Sequence, residues 1–226
     1  MADSDYDRNA ASRYDVGRIM TGGAAEPSTE VRIPDRNSQA EGVHVALLRG
    51  INVGGKHSLP MKELTPMFVA AGCKDVRTYI QSGNVVFRAR QELGQQIPTL
   101  IAQAIGDAKG FQVPVVARTA GELERVAQNN PFLAAGADEA KVHVGFLADA
   151  PSPEAVAGLD AGRSPPDELA VEGREIYLHL PNGVARTKLT NDYFDRALGT
   201  ISTSAIGGPF SSWSRWPTAL DFGLYR

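Results

Sequence analysis

Apolar residues near the start of the globular region follow first a strand pattern and then a helix pattern. His44–Leu48 is a short continuous apolar run, which is typical of a strand buried on both faces. An apolar stripe then runs from Leu64 to Ala71, with Ser58 placed to cap a helix and Gly72 placed to end it. We therefore expect a strand and a helix joined by a glycine-rich loop.

The following apolar runs complete one α+β unit. Asp75–Ile80 and Asn84–Arg88 are rich in β-forming residues and flank Gly83, so they predict a hairpin. Apolar residues from Leu93 to Ile105 recur at helical spacing, and Val113–Ala117 predicts a further strand. The order strand, helix, hairpin, helix, strand is the split β-α-β pattern of a ferredoxin-like α+β fold.

The same order of elements recurs in the second part of the chain. Lys141–Leu147 alternates as a strand, and Ser152 is placed to cap a helix. Glu168–Val171 and Glu175–Leu180 predict a second hairpin, and a helical stripe follows that ends at Leu198. We interpret this recurrence as an internal duplication of ferredoxin-like (split β-α-β) halves.

These patterns divide the chain into four parts. They are a leader (1–42), a first α+β half (43–130), a second α+β half (131–203) and a tail (204–226). The leader mixes charged residues with Ala, Ser, Gly and Pro and has no sustained periodicity, so we expect it to be disordered.

Composition narrows the class of protein. The chain has 226 residues, of which 42% are hydrophobic, and a net charge of -3. That net charge gives no overall attraction to nucleic acid, although a local basic patch could still bind it. No apolar run approaches the roughly 20 residues that cross a bilayer, so we expect a cytoplasmic protein with no membrane partner.

The loop after the first strand is the strongest candidate for chemistry. It combines Arg49, Asn52, Gly54, Gly55 and Lys56. Glycines let backbone N–H groups approach a ligand, and the two cations would attract an anion such as phosphate. The glycines could equally serve a tight turn while the arginine pairs with a carboxylate. Both interpretations remain open at this point.

Other polar residues are weaker candidates. Ser82 and Asn84 lie in the first predicted hairpin, where turn geometry alone can account for them. Lys188 precedes a helix, where it could complement an anion or be solvated. His57, in the loop, is the one histidine that suits acid–base work, and Cys73 is expected to be a small buried side chain. The sequence has no nucleophile elbow, dinucleotide fingerprint or metal-ligand spacing, so we expect no cofactor or metal and assign no catalytic residue.

Four segments together resemble a known family. Leu47–Gly55 and Thr78–Phe87 resemble the signature of the bacterial family called domain of unknown function 1697. Tyr177–Gly183 and Thr187–Leu189 are similar to a later motif of that family. The resemblance covers residues 43–203 and implies a duplicated α+β fold of ferredoxin-like halves. It implies no established activity.

The resemblance ends near Ser204. Family members typically continue with a basic amphipathic helix of the form Arg-Asn-Trp-Arg-Thr-Val-x-Lys-Leu, whereas Ser204 is followed here by Ala-Ile-Gly-Gly-Pro-Phe-Ser-Ser-Trp-Ser-Arg-Trp-Pro. This stretch can be back-translated into a nucleotide sequence in which one C is inserted directly after the codon of Ser204. The altered sequence then translates as Ser-Arg-Asn-Trp-Arg-Thr-Val-Leu-Lys-Leu-Val-Glu-Met-Ala. We therefore expect a frameshift rather than a divergent terminus, and resequencing that finds no missing base would contradict it.

Three classes of function fit these observations. A binding module would use the Arg49–Lys56 loop for a phosphate-bearing small molecule or RNA, and RNA would also need stacking aromatic residues such as Tyr79. A small-molecule enzyme would form its site between the two halves. A structural or oligomeric role is the third class, and the oligomeric state is left open.

Overall fold

The computed structural model describes residues 40–52, 57–79 and 83–204 of the chain. The predicted disorder of the leader falls almost entirely outside these residues, and so does the tail with its predicted frameshift. Gly54, Gly55, Lys56 and Ser82 also lie outside the described residues.

The described residues form eight strands, six α-helices and one 3-10 turn. The strands are β1 (Glu41–Leu48), β2 (Lys74–Tyr79), β3 (Asn84–Arg90), β4 (Val115–Thr119), β5 (Val142–Leu147), β6 (Glu168–Glu172), β7 (Glu175–His179) and β8 (Ser202–Ser204). The helices are α1 (Met61–Ala70), α2 (Gln91–Lys109), α3 (Ala120–Gln128), α4 (Pro131–Ala134), α5 (Pro153–Ala157) and α6 (Asn191–Leu198), and the 3-10 turn is Glu139–Lys141.

The strands form two antiparallel sheets, one in each half. Their orders are β2-β3-β1-β4 and β6-β7-β5-β8. β1 pairs with β3 and β4, and β5 pairs with β7 and β8 in the same manner. The predicted mixed α+β class is therefore confirmed.

β1 contributes to two apolar cores because successive side chains of a strand point to opposite faces. Ala46 and Leu48 pack in the core beneath α1 and α2. Val45 and Leu47 face the other way and share a core with Phe146 of β5. The two sheets therefore pack against each other, and the prediction that β1 is buried on both faces is confirmed.

Several element boundaries differ from the sequence prediction; the fourth strand, for example, is Val115–Thr119 rather than Val113–Ala117. β1 begins at Glu41, so two residues assigned to the leader belong to the first sheet. α1 begins at Met61 after Pro60, and no side chain caps it, so the prediction that Ser58 is the N-cap is wrong. The cause is that Asn52 binds the backbone of Leu59, and the chain turns into the helix only beyond that contact.

Within the described part of the chain, no helix is both long enough and apolar enough to cross a membrane.

Candidate functional site

The two halves of the sequence signature meet at the end of β1. Gly83 has φ +91°, and a Cβ atom there would lie 2.8 Å from Ile51 Cδ1 and 3.0 Å from the Cβ atom of Leu48. The Leu48 N–H donates to the carbonyl of Gly83 at 3.0 Å. A glycine is therefore required by both backbone conformation and space, which explains part of the signature by packing alone.

Asn52 braces the loop that follows β1. Its Nδ2 donates to the carbonyl of Leu59 at 2.8 Å, and its Oδ1 accepts from the Leu59 N–H at 2.8 Å. Asn52 and His57 both have positive φ, and the Asn52 N–H donates to the carbonyl of His57 at 3.2 Å. The base of the loop is thus closed by hydrogen bonds across the described residues on its two sides.

Arg49 crosses from the first half to the second. Its Nη2 lies 2.8 Å from Asp195 Oδ2 on α6, and its Nη1 donates to the carbonyl of Ser202 at 2.7 Å. Asp195 Oδ1 also accepts from the Ser202 N–H and Oγ, each at 2.6 Å. Of the two interpretations that the sequence left open, the structure shows Arg49 paired with a carboxylate.

The same contacts determine the charge state of Asp195. Burial alone would raise the pKa of this carboxyl, but hydrogen bonds from Arg49 and Ser202 outweigh burial and lower it. A lowered pKa in the folded state stabilises the protein above the unfolded pKa of about 3.9, and that stability is lost as the pH falls through the folded pKa.

We expect Asp195→Asn to lower the free energy of unfolding by about 1 kcal/mol at pH 7, since the pair is partly exposed. The difference from wild type should shrink as the pH falls below about 4, where Asp195 of the unfolded chain takes up a proton, and should vanish below the lowered pKa of the folded state. Urea unfolding at several pH values measures both effects. In a double-mutant cycle with Arg49→Met, the coupling energy should account for most of the loss, and a coupling near zero would contradict this assignment.

The remaining predicted site residues have separate surroundings. Asn84 is 3% exposed and lies opposite Leu47 in the β1–β3 ladder. Lys188 is exposed, and its backbone N–H donates to Ser164 Oγ at 3.0 Å. The structure therefore places Arg49, Asn52 and Asn84 around the end of β1, whereas Lys188 lies in the segment before α6.

Cys73 is buried, whereas His57 lies at the surface. The burial of Cys73 confirms the predicted packing role and raises the pKa of its thiol to about 11. The thiolate that a nucleophile needs is therefore scarce at neutral pH. His57 is exposed and stacks on Phe111 with ring centroids 4.6 Å apart.

A cleft of about 930 Å³ lies between α2, β4 and the second half. One wall is the face of α2 that carries Gln91, Gly94, Gln95, Pro98, Thr99, Ala102 and Gln103. The floor is the segment 112–119, and the second half contributes Ala148, Asp149, Arg174 and Ile201. Arg49, Asn52, Asn84 and Lys188 do not line this cleft, so sequence reasoning missed it.

His44 lies at the α2 side of this cleft and is 3% exposed. Its Nε2 lies 3.2 Å from the carbonyl of Ala89, so Nε2 carries the proton in that hydrogen bond and Nδ1 is an acceptor. Burial lowers the pKa of His44, which favours this neutral form. The ring stacks on Phe87, and the lack of a side chain at Gly94 gives it room.

Arg118 is the other buried polar group of the cleft, at 1% exposure. Its Nε donates to Glu175 Oε1 at 3.0 Å, and its Nη2 donates to the carbonyls of Leu147 at 2.7 Å and of Arg174 at 3.0 Å. Nη1 donates to the carbonyl of Ala117 at 2.9 Å. Arg118 therefore joins the first sheet to three residues of the second half.

A second ion pair lies beside Arg118. Arg174 Nη2 lies 2.5 Å from Glu122 Oε1, and Glu122 forms a capping box with Thr119 at the start of α3. Burial would raise the pKa of Glu122, but hydrogen bonds from Thr119 outweigh it and lower the pKa. Both arginines of the cleft thus have carboxylate partners, and the other polar side chains of the lining include glutamine amides, threonine hydroxyls and the Asp149 carboxylate.

The fold and the cleft define a mixed α+β protein with two packed four-stranded antiparallel sheets. The sequence profile of the family "Protein of unknown function (DUF1697)" matches residues 42–177, more than half of the chain, and the chain belongs to this family.

A solved structure with a similar fold is that of the conserved bacterial protein SP0830 from Streptococcus pneumoniae. The two chains share 20% sequence identity with a TM-score of 0.52, over 74% of this chain and 94% of that chain. At this level of identity the similarity concerns the fold alone. Among curated proteins, no sequence matches the chain significantly.

Proposed function

We propose that this protein is a binding module whose ligand lies in the cleft between α2, β4 and the second half. The observation that carries the proposal is the lining of the cleft: its arginines are paired with carboxylates, while glutamine amides, threonine hydroxyls and the Asp149 carboxylate line the space. Its volume of about 930 Å³ is within the range of ligand sites, roughly 300–1,000 Å³. The ligand class is a polar molecule without an anionic group, with a donor for His44 Nδ1.

We also infer that the two halves are duplicated ferredoxin-like units. Support comes from the corresponding strand orders of the two sheets. The ladders correspond as well, because Leu47 lies opposite Asn84 as Phe146 lies opposite Glu175. A ligand in the cleft would then contact both copies, since the lining comes from both halves.

Two adjacent glutamines provide a matched test of the cleft. Gln95 lines the cleft, whereas the equally exposed Gln96 lines a smaller cavity near β2. We propose a screen of uncharged amides, polyols and nucleosides by thermal shift, followed by NMR titration. Bound probes should shift the amide signals of α2 and β4, and Gln95→Leu should weaken binding about tenfold, as expected for one lost hydrogen bond.

Gln96→Leu should leave binding unchanged, and equal losses in the two variants would contradict the proposal. Probe-induced shifts confined to residues 49–59 would also contradict it. An enzyme with its site between the halves would use the same cleft, and conversion of a bound probe, lost in Gln95→Leu, would identify that activity.

The Arg49–Lys56 loop supports a second candidate, the binding of a phosphate group or RNA. The favouring observation is that Asn52, at the start of the loop, is hydrogen-bonded to both backbone groups of Leu59. Inorganic phosphate and a short oligouridine are suitable probes. Binding should weaken with added salt and be lost in Lys56→Ala, and binding that is insensitive to salt would contradict this candidate.

A further inference from the structure

We infer that the ligand of the cleft is an extended peptide segment without acidic side chains that adds as a strand to the outer edge of β4. This inference rests on the proposed function, because it names the ligand class of the same cleft. It follows from the backbone of β4, from the shape of the cleft and from the chemistry of its walls.

β4 lies at one end of the first sheet, and among the described residues its ladder partner is β1. The Arg49 N–H donates to the carbonyl of Pro114 at 3.0 Å, which sets the phase of the β1–β4 ladder. Because the backbone groups of a strand alternate in direction, those of Val116 face β1 and those of Val115 and Ala117 face the cleft.

Two of the outward groups on this edge already have partners. The Thr119 N–H donates to Glu122 Oε2 at 2.7 Å, and the Ala117 carbonyl accepts from Arg118 Nη1 at 2.9 Å. Within the described part of the chain, the Val115 N–H, the Val115 carbonyl and the Ala117 N–H have no such partner. These three groups have the spacing that an added strand would use.

The cleft has the shape of a groove between a strand edge and a helix. Its floor consists of the consecutive residues 112–119, which at about 3.3 Å per residue extend over roughly 25 Å. α2 forms one wall over Gln91–Gln103, and Asp149 and Ile201 lie on the other side. An extended segment of about six residues fits this length.

The side chains of the walls match peptide chemistry better than phosphate or nucleic-acid chemistry. Four glutamine side chains line the cleft, and each amide can both donate and accept. His44 Nδ1 adds an acceptor at the α2 side. A phosphate ligand would instead need cations, but Arg118 and Arg174 are held by Glu175 and Glu122. Together with the Asp149 carboxylate on the opposite wall, these features select an extended peptide without acidic side chains.

The test uses the full chain and a library of N-acetylated, C-amidated hexapeptides built from Ser, Thr, Val, Asn and Gln. Binding peptides should shift the amide signals of Val115 and Ala117. N-methylation of alternate peptide nitrogens should weaken binding at least tenfold, because it removes the donors that pair with the Val115 carbonyl. Equal binding of the methylated peptides would overturn the inference.

A matched pair of variants tests the edge of β4 from the side of the protein. Ala117→Pro removes one outward N–H and leaves the ladder with β1 intact, since proline is tolerated where the N–H faces away from the sheet. It should weaken peptide binding at least tenfold, whereas Ala117→Val should retain binding. If Ala117→Pro does not fold, the methylated peptides still decide the question.

Two further results separate this inference from the proposed function. If small amides bind in the cleft and no hexapeptide does, the cleft is a ligand site and the peptide assignment is overturned. If neither class binds, the proposed function fails as well. A concentration-dependent dimer that is abolished by Ala117→Pro would also overturn the inference, because it would assign the edge to a second copy of the chain.

Discussion

Arg118→Met is expected to lower the free energy of unfolding by about 3–5 kcal/mol, the cost of breaking a buried ion pair by removing one partner. Glu175 would lose its cation, and the carbonyls of Leu147 and Arg174 would lose the donor that now satisfies them. Urea unfolding followed by circular dichroism measures the loss.

An exposed ion pair provides the control. The Lys74 side chain is 65% exposed and lies 2.6 Å from Glu41, so Lys74→Met should destabilise the protein much less than Arg118→Met does. Arg118→Met combined with Glu175→Leu should recover part of the loss, because no carboxylate is then left without its cation. A loss for Arg118→Met as small as that for Lys74→Met would show that the network does not hold the sheets together.

The burial of Arg118 could not be predicted from its own strand. The sequence predicts a strand over Val113–Ala117, which ends before Arg118, and an arginine that follows such a strand is ordinarily taken to face water. What buries it is the second sheet, whose Leu147, Arg174 and Glu175 lie far along the chain. Local patterns therefore predicted the strand but not its environment.

Element order was the most predictable level of the structure. Strands and helices follow from periodicities within 5 to 20 residues, and the mixed α+β class follows from their order. Helix boundaries were less predictable: Ser58 has the right chemistry for a cap, but the Asn52–Leu59 contact moves the start of α1 to Met61. The deciding contact lies outside the helix, where periodicity carries no information.

The candidate site shows the same division. Arg49 and the glycines of its loop stood out in the sequence, yet its partner Asp195 comes from α6 in the other half. Gln95 and Thr99 look like ordinary solvent-facing positions of an amphipathic helix, and only the approach of β4 and the second half makes them walls of a cleft. A site assembled from two halves leaves little signal in either half alone.

Gly94 lies on the face of α2 that packs against the His44 imidazole. A Cβ atom there would lie 2.3 Å from His44 Cε1 and 2.6 Å from His44 Nδ1, well inside van der Waals contact. His44 cannot easily move away, because it is hydrogen-bonded to Ala89 and stacked on Phe87. Glycine in this helix therefore makes room for a buried imidazole.

Gly94→Ala should accordingly lower the free energy of unfolding by about 1–3 kcal/mol through overpacking. The direction of this change in the free energy of unfolding is informative, because a glycine-to-alanine substitution within a helix otherwise stabilises a protein by roughly 0.5–1 kcal/mol. Gly106→Ala in the same helix is the matched control: its Cβ atom would meet only the flexible end of Gln112, at 3.1 Å. That variant should be neutral or slightly stabilising.

A third variant tests whether the clash with the imidazole is the cause. In a His44→Ala background the space around residue 94 is open, so adding Gly94→Ala should cost little and could restore the usual helix gain. Thermal and urea unfolding of the four proteins in this cycle measure the coupling. If Gly94→Ala is as stable as Gly106→Ala, the His44 imidazole does not lie against residue 94. Its Nδ1 would then not be placed to accept a hydrogen bond from a ligand in the cleft.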